Sequence, residues 1–93
     1  MNLTNNKEKK MEMKIYSVKD AKVGFTGLSI EKSQLPVLRN LEMIVNGSDE
    51  NSMIAKFPND FALYELGTID TDTGTISPSV KFVAEMSSLK KSS

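Results

Sequence analysis

Cysteine and histidine are both missing from this 93-residue chain. Without cysteine the chain has no disulfide and no thiolate that binds a metal or attacks a substrate. Without histidine it lacks the side chain that most often exchanges protons near neutral pH, which is also the most common zinc ligand. Ser–His and Cys–His catalysis are therefore excluded, and an active site built on carboxylates or lysine would need a buried cleft that shifts a pKa strongly.

The small size of the chain argues against such a cleft. A domain of this length hides only about 60–65% of the surface that its unfolded chain exposes, so its core is thin. We therefore expect one domain that works by binding and is not an enzyme. We expect no cofactor, no metal site and no small-molecule substrate.

Long hydrophobic runs are also missing. No stretch approaches the roughly 18 consecutive apolar residues that a membrane span needs. The N-terminal segment Met1–Lys10 is polar and lacks the apolar region of a secretory signal. These absences predict a cytoplasmic protein that does not contact a membrane.

The formal net charge is zero, but the charges are unevenly distributed along the chain. Residues 1–32 carry seven lysines and four acids, residues 33–79 carry two basic and seven acidic side chains, and residues 80–93 carry three lysines and one acid. Both ends are thus basic and the middle is acidic. If the two ends meet in space they form a basic face able to contact phosphates; otherwise the lysines are simply solvated.

Apolar and polar residues alternate over Met13–Val18, which predicts a β-strand, and Asp20–Lys22 predicts a turn. The following segment, Val23–Ile30, contains two glycines, and we expect it to be irregular and loosely extended. Phe61–Ile69 is apolar on both faces, which predicts a central strand. Alternation returns at Val80–Met86, which predicts a final strand.

The clearest helix signal lies at Ser33–Asn46. Ser33 is a favourable N-cap, Pro36 falls in the first turn, and Gly47 suits the position after the helix. Leucines and other aliphatic residues recur at three- and four-residue steps and form one apolar stripe. The stripe either covers the sheet, which we favour, or binds a partner. A short helical turn capped by Ser52 is expected at Ser52–Phe57, ended by Pro58.

Asp70–Gly74 is the strongest turn signal and predicts a β-hairpin. A calcium loop would also use aspartates at this spacing, but the distal glutamate of an EF-hand is missing.

The predicted fold is α+β: a small, mostly antiparallel sheet of three to four strands with one main helix, about 33–46, packed on one face. We expect a disordered N-terminal tail at 1–12, a single domain at 13–86 and a polar C-terminal tail at 87–93. Met1, Met11 and Met13 are all possible translation starts. The predicted core consists of Ile15, Leu35, Leu38, Leu41, Val45, Ile54, Phe57, Phe61, Leu63, Leu66, Phe82 and Val83.

Three segments in order resemble a known family: Met13–Asp20, Phe57–Gly67 and Asp70–Gly74. The middle one contains the pattern Pro–x–Asp–Phe–x–Leu–Tyr–x–Leu–Gly. Together they resemble the small nonstructural protein of gokushovirus-type microviruses, bacteriophages with small circular single-stranded DNA genomes. The resemblance covers roughly residues 13–86 and leaves out the first twelve.

The resemblance implies a nonstructural phage protein that acts in the host bacterial cytoplasm. The family is regarded as the counterpart of the microvirus C protein, which is thought to act at the switch from duplex genome replication to single-strand synthesis and packaging. It therefore implies a regulator that binds single-stranded DNA or the replication complex. An alternative is a protein-interaction module that acts on a viral or host replication or assembly protein without touching DNA. A homodimer is also possible.

Single-strand binding requires a positive groove and aromatic side chains on which bases stack. Tyr16, flanked by Lys14 and Lys19, is the first such combination in the chain, and Lys22 and Lys81 would join it if the first and last strands were neighbours. Phe25 would join it in the same way. The alternative, which we favour, is that Phe25 belongs to the core and Tyr16 packs at the sheet edge. Tyr64, beside Glu65, is a weaker candidate, because the acidic middle of the chain would repel phosphates. The predicted nucleic-acid contacts are Lys14, Tyr16, Lys19, Lys22 and Lys81.

Overall fold

The computed structural model describes residues 11–91, and the fold begins with an antiparallel hairpin. Strand β1 spans Glu12–Asp20 and strand β2 spans Gly24–Glu31. The Asp20 carboxylate accepts the backbone N–H of Lys22 at 2.8 Å and closes the predicted turn between them. β2 is an edge strand, so the segment is extended as predicted, and its irregularity is confined to a shift in register against β1 between Ser17 and Lys19. Most of the predicted N-terminal tail, residues 1–10, lies outside the described residues.

The main helix, α1, spans Gln34–Val45 and lies within the predicted range. Ser33 stands at its N-cap with extended backbone, although its side chain makes no capping hydrogen bond. A four-residue helix, α2, follows at Met53–Lys56. The hydroxyl of Ser52 accepts the N–H of Ala55 at 3.1 Å, which is the predicted cap.

A second hairpin completes the sheet after a 3-10 turn at Pro58–Asp60. Strand β3 spans Phe61–Asp70 and strand β4 spans Ile76–Glu85. In the turn, the Asp70 carboxylate accepts the N–H of Asp72 at 2.9 Å. Strand β4 begins earlier than predicted and includes Pro78, which an edge strand tolerates because the missing N–H faces no neighbour.

The four strands form one antiparallel sheet in the order β2–β1–β3–β4. β3 is a central strand, as predicted. The chain leaves the first hairpin at β2, crosses one face of the sheet as α1 and α2, and returns as β3 beside β1. The predicted class is confirmed: a four-stranded antiparallel sheet with one main helix on one face.

The main core lies between α1 and the sheet. Of the predicted core residues, Leu41, Val45, Phe61 and Leu63 are buried in this core, and Leu38, Ile54 and Val83 are half-buried against it. Ile15 is buried and Leu66 half-buried outside this cluster. Three predictions were wrong, because Leu35, Phe57 and Phe82 are exposed. Leu35 lies in the first turn of α1, Phe57 lies in the connection after α2, and Phe82 points away from the helix. Their places are taken by Tyr16 and Met86, which are fully buried.

The C-terminal segment packs against the end of α1. A 3-10 turn at Met86–Leu89 follows β4, and Leu89 contacts the core. The Asn46 side-chain amide donates to the carbonyl of Leu89 at 2.9 Å, and its oxygen accepts the N–H of Lys91 at 2.8 Å. The segment predicted as a polar tail is therefore bound to the domain up to Lys91.

A close approach of β3 and β4 requires glycine at position 67. Gly67 has φ +146°, a conformation that L side chains rarely adopt. A Cβ added there would collide with the carbonyl oxygen of Ser77 and lie 3.0 Å from the Cα of Pro78. Both obstacles are backbone atoms, so neither can move without displacing β4.

Replacing Gly67 by alanine should destabilise the fold by about 3 kcal/mol, because backbone strain and a backbone collision add together. Urea unfolding followed by circular dichroism measures the change in the free energy of unfolding. Gly27→Ala is the matched control: an added Cβ at Gly27 meets no atom within 4 Å and its φ is not positive. Equal stability of the two variants would contradict the close approach at Gly67.

Candidate nucleic-acid interface

Helix α1 covers one face of the sheet, and we call the opposite face the open face. Alternation along β3 decides which side chains belong to it. Leu63 and Glu65 are buried on the covered face, so Tyr64 between them points to the open face. Phe82 is paired with Tyr64 across β3 and β4 and therefore shares that face.

Three aromatic rings form a band across the open face, which we call the aromatic band: Phe25 on β2, Tyr64 on β3 and Phe82 on β4. The Phe25 and Tyr64 ring centroids are 5.3 Å apart at 85°, and those of Tyr64 and Phe82 are 5.7 Å apart at 80°. Edge-to-face contacts of this kind stabilise each pair by about 0.5–1.5 kcal/mol. The band is thus held in place while Phe25 and Phe82 remain 43% and 56% exposed.

Among the residues that the structure describes, one lysine, Lys19, lies over the aromatic band. The Nζ of Lys19 is 5.5 Å from the ring centroid of Phe25 and 5.9 Å from that of Tyr64, both within cation–π range. Lys19 is on β1, where it is paired with Phe25 on one side and Ala62 on the other. Its ammonium group therefore places a positive charge beside the aromatic rings, with the Glu85 carboxylate on the far side of Ala62.

A shallow pocket of about 270 Å³ borders the band at the Asp60 end of the sheet. Lys19 and Tyr64 contribute to its wall, together with Asp60 and Glu85. Its volume lies at the lower limit for small-molecule sites, and its lining mixes both signs of charge. The pocket is better described as the rim of the aromatic band than as a separate ligand site.

The five residues predicted to contact nucleic acid do not come together. Lys19 lies on the open face, and Lys22 lies in the exposed turn between β1 and β2. Lys14 points to the covered side, where its Nζ is 3.8 Å from the Glu65 carboxylate. Lys81 is paired with Glu65 from the other neighbouring strand. The lysines are therefore divided between two faces, and only Lys19 stands beside exposed aromatic rings.

Tyr16 requires a correction. Its side chain is fully buried in the core against α1, and its hydroxyl has no hydrogen-bond partner. Burial, and then the negative charges of Glu65 and Glu31, raise the pKa of Tyr16 above its ordinary value of 10.0. A ring in this position stabilises the fold and is inaccessible to a base.

Tyr64 and Phe82 belong to the aromatic band, whereas Tyr16 does not. Neither Tyr64 nor Phe82 is among the nucleic-acid contacts predicted from the sequence. Tyr64 is the weaker candidate in the sequence because it lies beside Glu65 in the acidic middle of the chain, yet adjacent strand residues point to opposite faces and Glu65 belongs to the covered one. Phe82 was assigned to the core. Buried and half-buried residues alternate strictly over Phe61–Gly67, and this alternation places Tyr64 and Glu65 on opposite faces of the sheet.

The acidic side chains of the middle segment do not gather into a site. Within residues 11–91, no group of three or more Asp and Glu side chains is arranged to hold a metal ion. The Asp70 carboxylate is occupied by backbone N–H groups of its own turn. The same described residues contain no helix long and apolar enough to cross a membrane.

A protein-family model described as Phage ORF5 protein matches residues 13–89 of this chain. The chain belongs to the Phage ORF5 protein family. The match begins at Met13, near the start of β1, and ends at Leu89, the last residue of the 3-10 turn that packs on α1. It therefore spans the whole sheet, both helices and the aromatic band. No curated protein and no solved structure matches the chain.

The buried Tyr16 hydroxyl leads to a prediction about alkaline stability. A raised folded-state pKa means that the stability contributed by the protonated phenol is complete below pH 10 and is lost as the pH rises through the folded value. At pH 11 the wild type should therefore lose about 1 kcal/mol more of its unfolding free energy than Tyr16→Phe, which has no phenol to ionise.

Urea unfolding of both proteins at pH 8 and pH 11 measures this difference. At pH 8 Tyr16→Phe should be as stable as the wild type or up to about 1 kcal/mol more stable, because the lost hydroxyl is unpaired. Parallel pH profiles for the two proteins would contradict the burial of a protonated phenol.

Proposed function

We propose that this protein is a non-enzymatic phage protein that binds single-stranded DNA through the open face of its sheet. The observation that carries the proposal is the aromatic band with Lys19 above it. Rings on which bases stack, beside a cation that attracts the backbone, are the two components of sequence-tolerant single-strand binding. A flat sheet face presents both to an extended strand.

The distribution of charge determines how such binding would work. Lys19 is the lysine that lies over the aromatic band, and the chain as a whole has no net charge. Phosphate contacts therefore contribute little, and stacking on Phe25, Tyr64 and Phe82 supplies most of the affinity. Stacking is worth about 1–3 kcal/mol per base. The proposal thus implies modest affinity with weak salt dependence.

The biological role we propose follows from the phage family and from the resemblance of the sequence to gokushovirus-type nonstructural proteins. As the counterpart of the microvirus C protein, the chain would act in the host bacterial cytoplasm. There it would help to switch the phage from duplex genome replication to single-strand synthesis and packaging. Binding to the newly displaced single strand, alone or within the replication complex, is the step in which the aromatic band takes part.

The division of the predicted lysines between the two faces of the sheet favours a second candidate function. Lys14 and Lys81 flank Glu65 on the covered side and are separated from Lys19 by the sheet itself. An open face with one lysine suits an apolar protein partner as well as it suits DNA. In this alternative the chain binds the phage replication initiator or an assembly protein. Co-purification of purified initiator with this protein in nuclease-treated buffer would support it.

Fluorescence anisotropy with a labelled oligothymidylate of about 16 nucleotides, within the span that single-strand-binding domains cover, tests DNA binding. Phe25→Ala and Phe82→Ala should each weaken binding about 10-fold at low salt, because each removes a stacking surface. Phe57→Ala is the matched control, since Phe57 is 49% exposed but lies outside the sheet. It should change the affinity less than about twofold.

Lys19 is tested by the salt dependence of the same titration. Lys19→Gln should reduce the slope of log Kd against log salt by about 0.7, the value for one phosphate contact on a single strand. Lys56→Gln, on helix α2, should leave the slope unchanged. If the wild type shows no binding even at low salt, or if Phe57→Ala weakens binding as much as Phe82→Ala, DNA binding by the aromatic band is ruled out.

A further inference from the structure

The other end of the open face carries a continuous apolar surface, which we call the aliphatic patch. All four strands contribute to it: Met13, Ile15, Leu28, Ile30, Leu66, Ile69, Ile76 and Val80. Strand pairing joins Ile30 to Ile15 across β2 and β1, and joins Ile69 to both Met13 and Ile76. Alternation from Tyr64 and Phe82 places Leu66 and Val80 on the same face. The patch is thus one surface and not a scatter of exposed side chains.

The patch contains no charged side chain. Within residues 11–91, strand pairing places two charged side chains on the open face, Lys19 and Glu85. Both residues are paired with Ala62, which lies at the aromatic end of that face. Along the strands, the open face therefore changes from an aromatic end with charges to a purely aliphatic end. A polyanion has nothing to contact on the aliphatic end.

The exposed area of the patch is large for so small a protein. Leu28, Ile30, Ile76 and Val80 are each about half exposed or more. Adjoining exposed apolar side chains of this kind on a monomer often mark an interaction surface. About 65% of a homodimer interface is apolar, and its core is depleted of charged residues. The aliphatic patch has the same character.

We propose that a second copy of this chain covers the aliphatic patch, so that two sheets pack face to face about a twofold axis. A sheet with helices on one face and apolar side chains on the other lacks a second covering layer, which a second sheet supplies. An isologous pair uses the same patch twice and needs no charge complementarity, which suits an uncharged surface. The aliphatic patch and the aromatic band share no residue, so the dimer and DNA binding are separate proposals.

Pairing through strand edges is less favourable than pairing through the open face. Strand β4 contains Pro78 and two register shifts against β3, and β2 contains two glycines and a register shift against β1. Proline, bulges and glycine are the features by which edge strands avoid adding another chain. Both edges of the sheet are thus protected, whereas the aliphatic patch is not.

Sedimentation velocity over about 1–100 µM protein, the range in which a dimer of micromolar affinity dissociates, tests the dimer. The patch variant is Ile30→Gln combined with Val80→Gln. It should weaken dimerisation at least about 100-fold, because each unpaired amide is buried twice in a twofold interface. The control is Leu35→Gln with Met43→Gln on α1, where the replaced side chains are 60% and 73% exposed against 46% and 64% in the patch. The control should dimerise within about threefold of the wild type.

The proposal is overturned if the wild type remains monomeric throughout this range, or if the patch variant dimerises like the wild type. Circular dichroism checks whether the double variant folds. If it does not fold, the single variant Ile30→Thr, which keeps a β-branched side chain, is used in its place. Oligothymidylate binding separates the two proposals. A monomeric wild type that binds DNA removes only the dimer, and a dimer that binds no DNA removes only the DNA-binding function.

Discussion

Tyr16, Leu63 and Val45 meet between the sheet and helix α1, and the arrangement of the whole molecule depends on this contact. One twelve-residue helix is too narrow to wrap around four strands, so it covers one face and leaves the other in solvent. The short 3-10 turn at Met86–Leu89 extends the cover at the C-terminal side, held by Asn46. The open face is thus the side of the sheet that the helices and turns within residues 11–91 leave uncovered.

Local signals in the sequence were sufficient for the elements of the fold. Turn residues such as Asp70 and Gly74, the Ser52 cap and the apolar stripe of α1 act within a few residues of chain, and each was predicted correctly. The assignment of strand residues to faces was less successful, because it depends on pairing between distant strands. Leu66 is the extra residue where β3 bulges against β1, and such a shift in register leaves no mark in a single sequence.

The candidate site failed to emerge from the sequence for the same reason. Tyr16 and Lys14 lie two residues apart on β1 and share the covered face, whereas Lys19, three residues beyond Tyr16, lies on the open face. Phe25, Tyr64 and Phe82 come from three different strands, and only the strand order brings their rings together. Of the five lysine and tyrosine residues predicted to contact nucleic acid, Lys19 lies over this band, and its role there stays a prediction. A site assembled from several strands can be predicted only when the strand order is known, whereas caps and turns depend on residues that are close in sequence.

The two ends of the open face fit one physical scheme. Residues 11–91 place one lysine over the aromatic band and the chain has no net charge, so under the proposed function one chain would hold a single strand weakly. Two chains joined at their aliphatic patches would hold two aromatic bands in fixed relation, so that the second band binds a strand already held by the first. Linkage of this kind raises affinity by 10² or more without any added charge, provided that the strand reaches both bands. An uncharged protein could then retain a long single strand yet release a short one, a distinction that bulk electrostatic attraction does not provide.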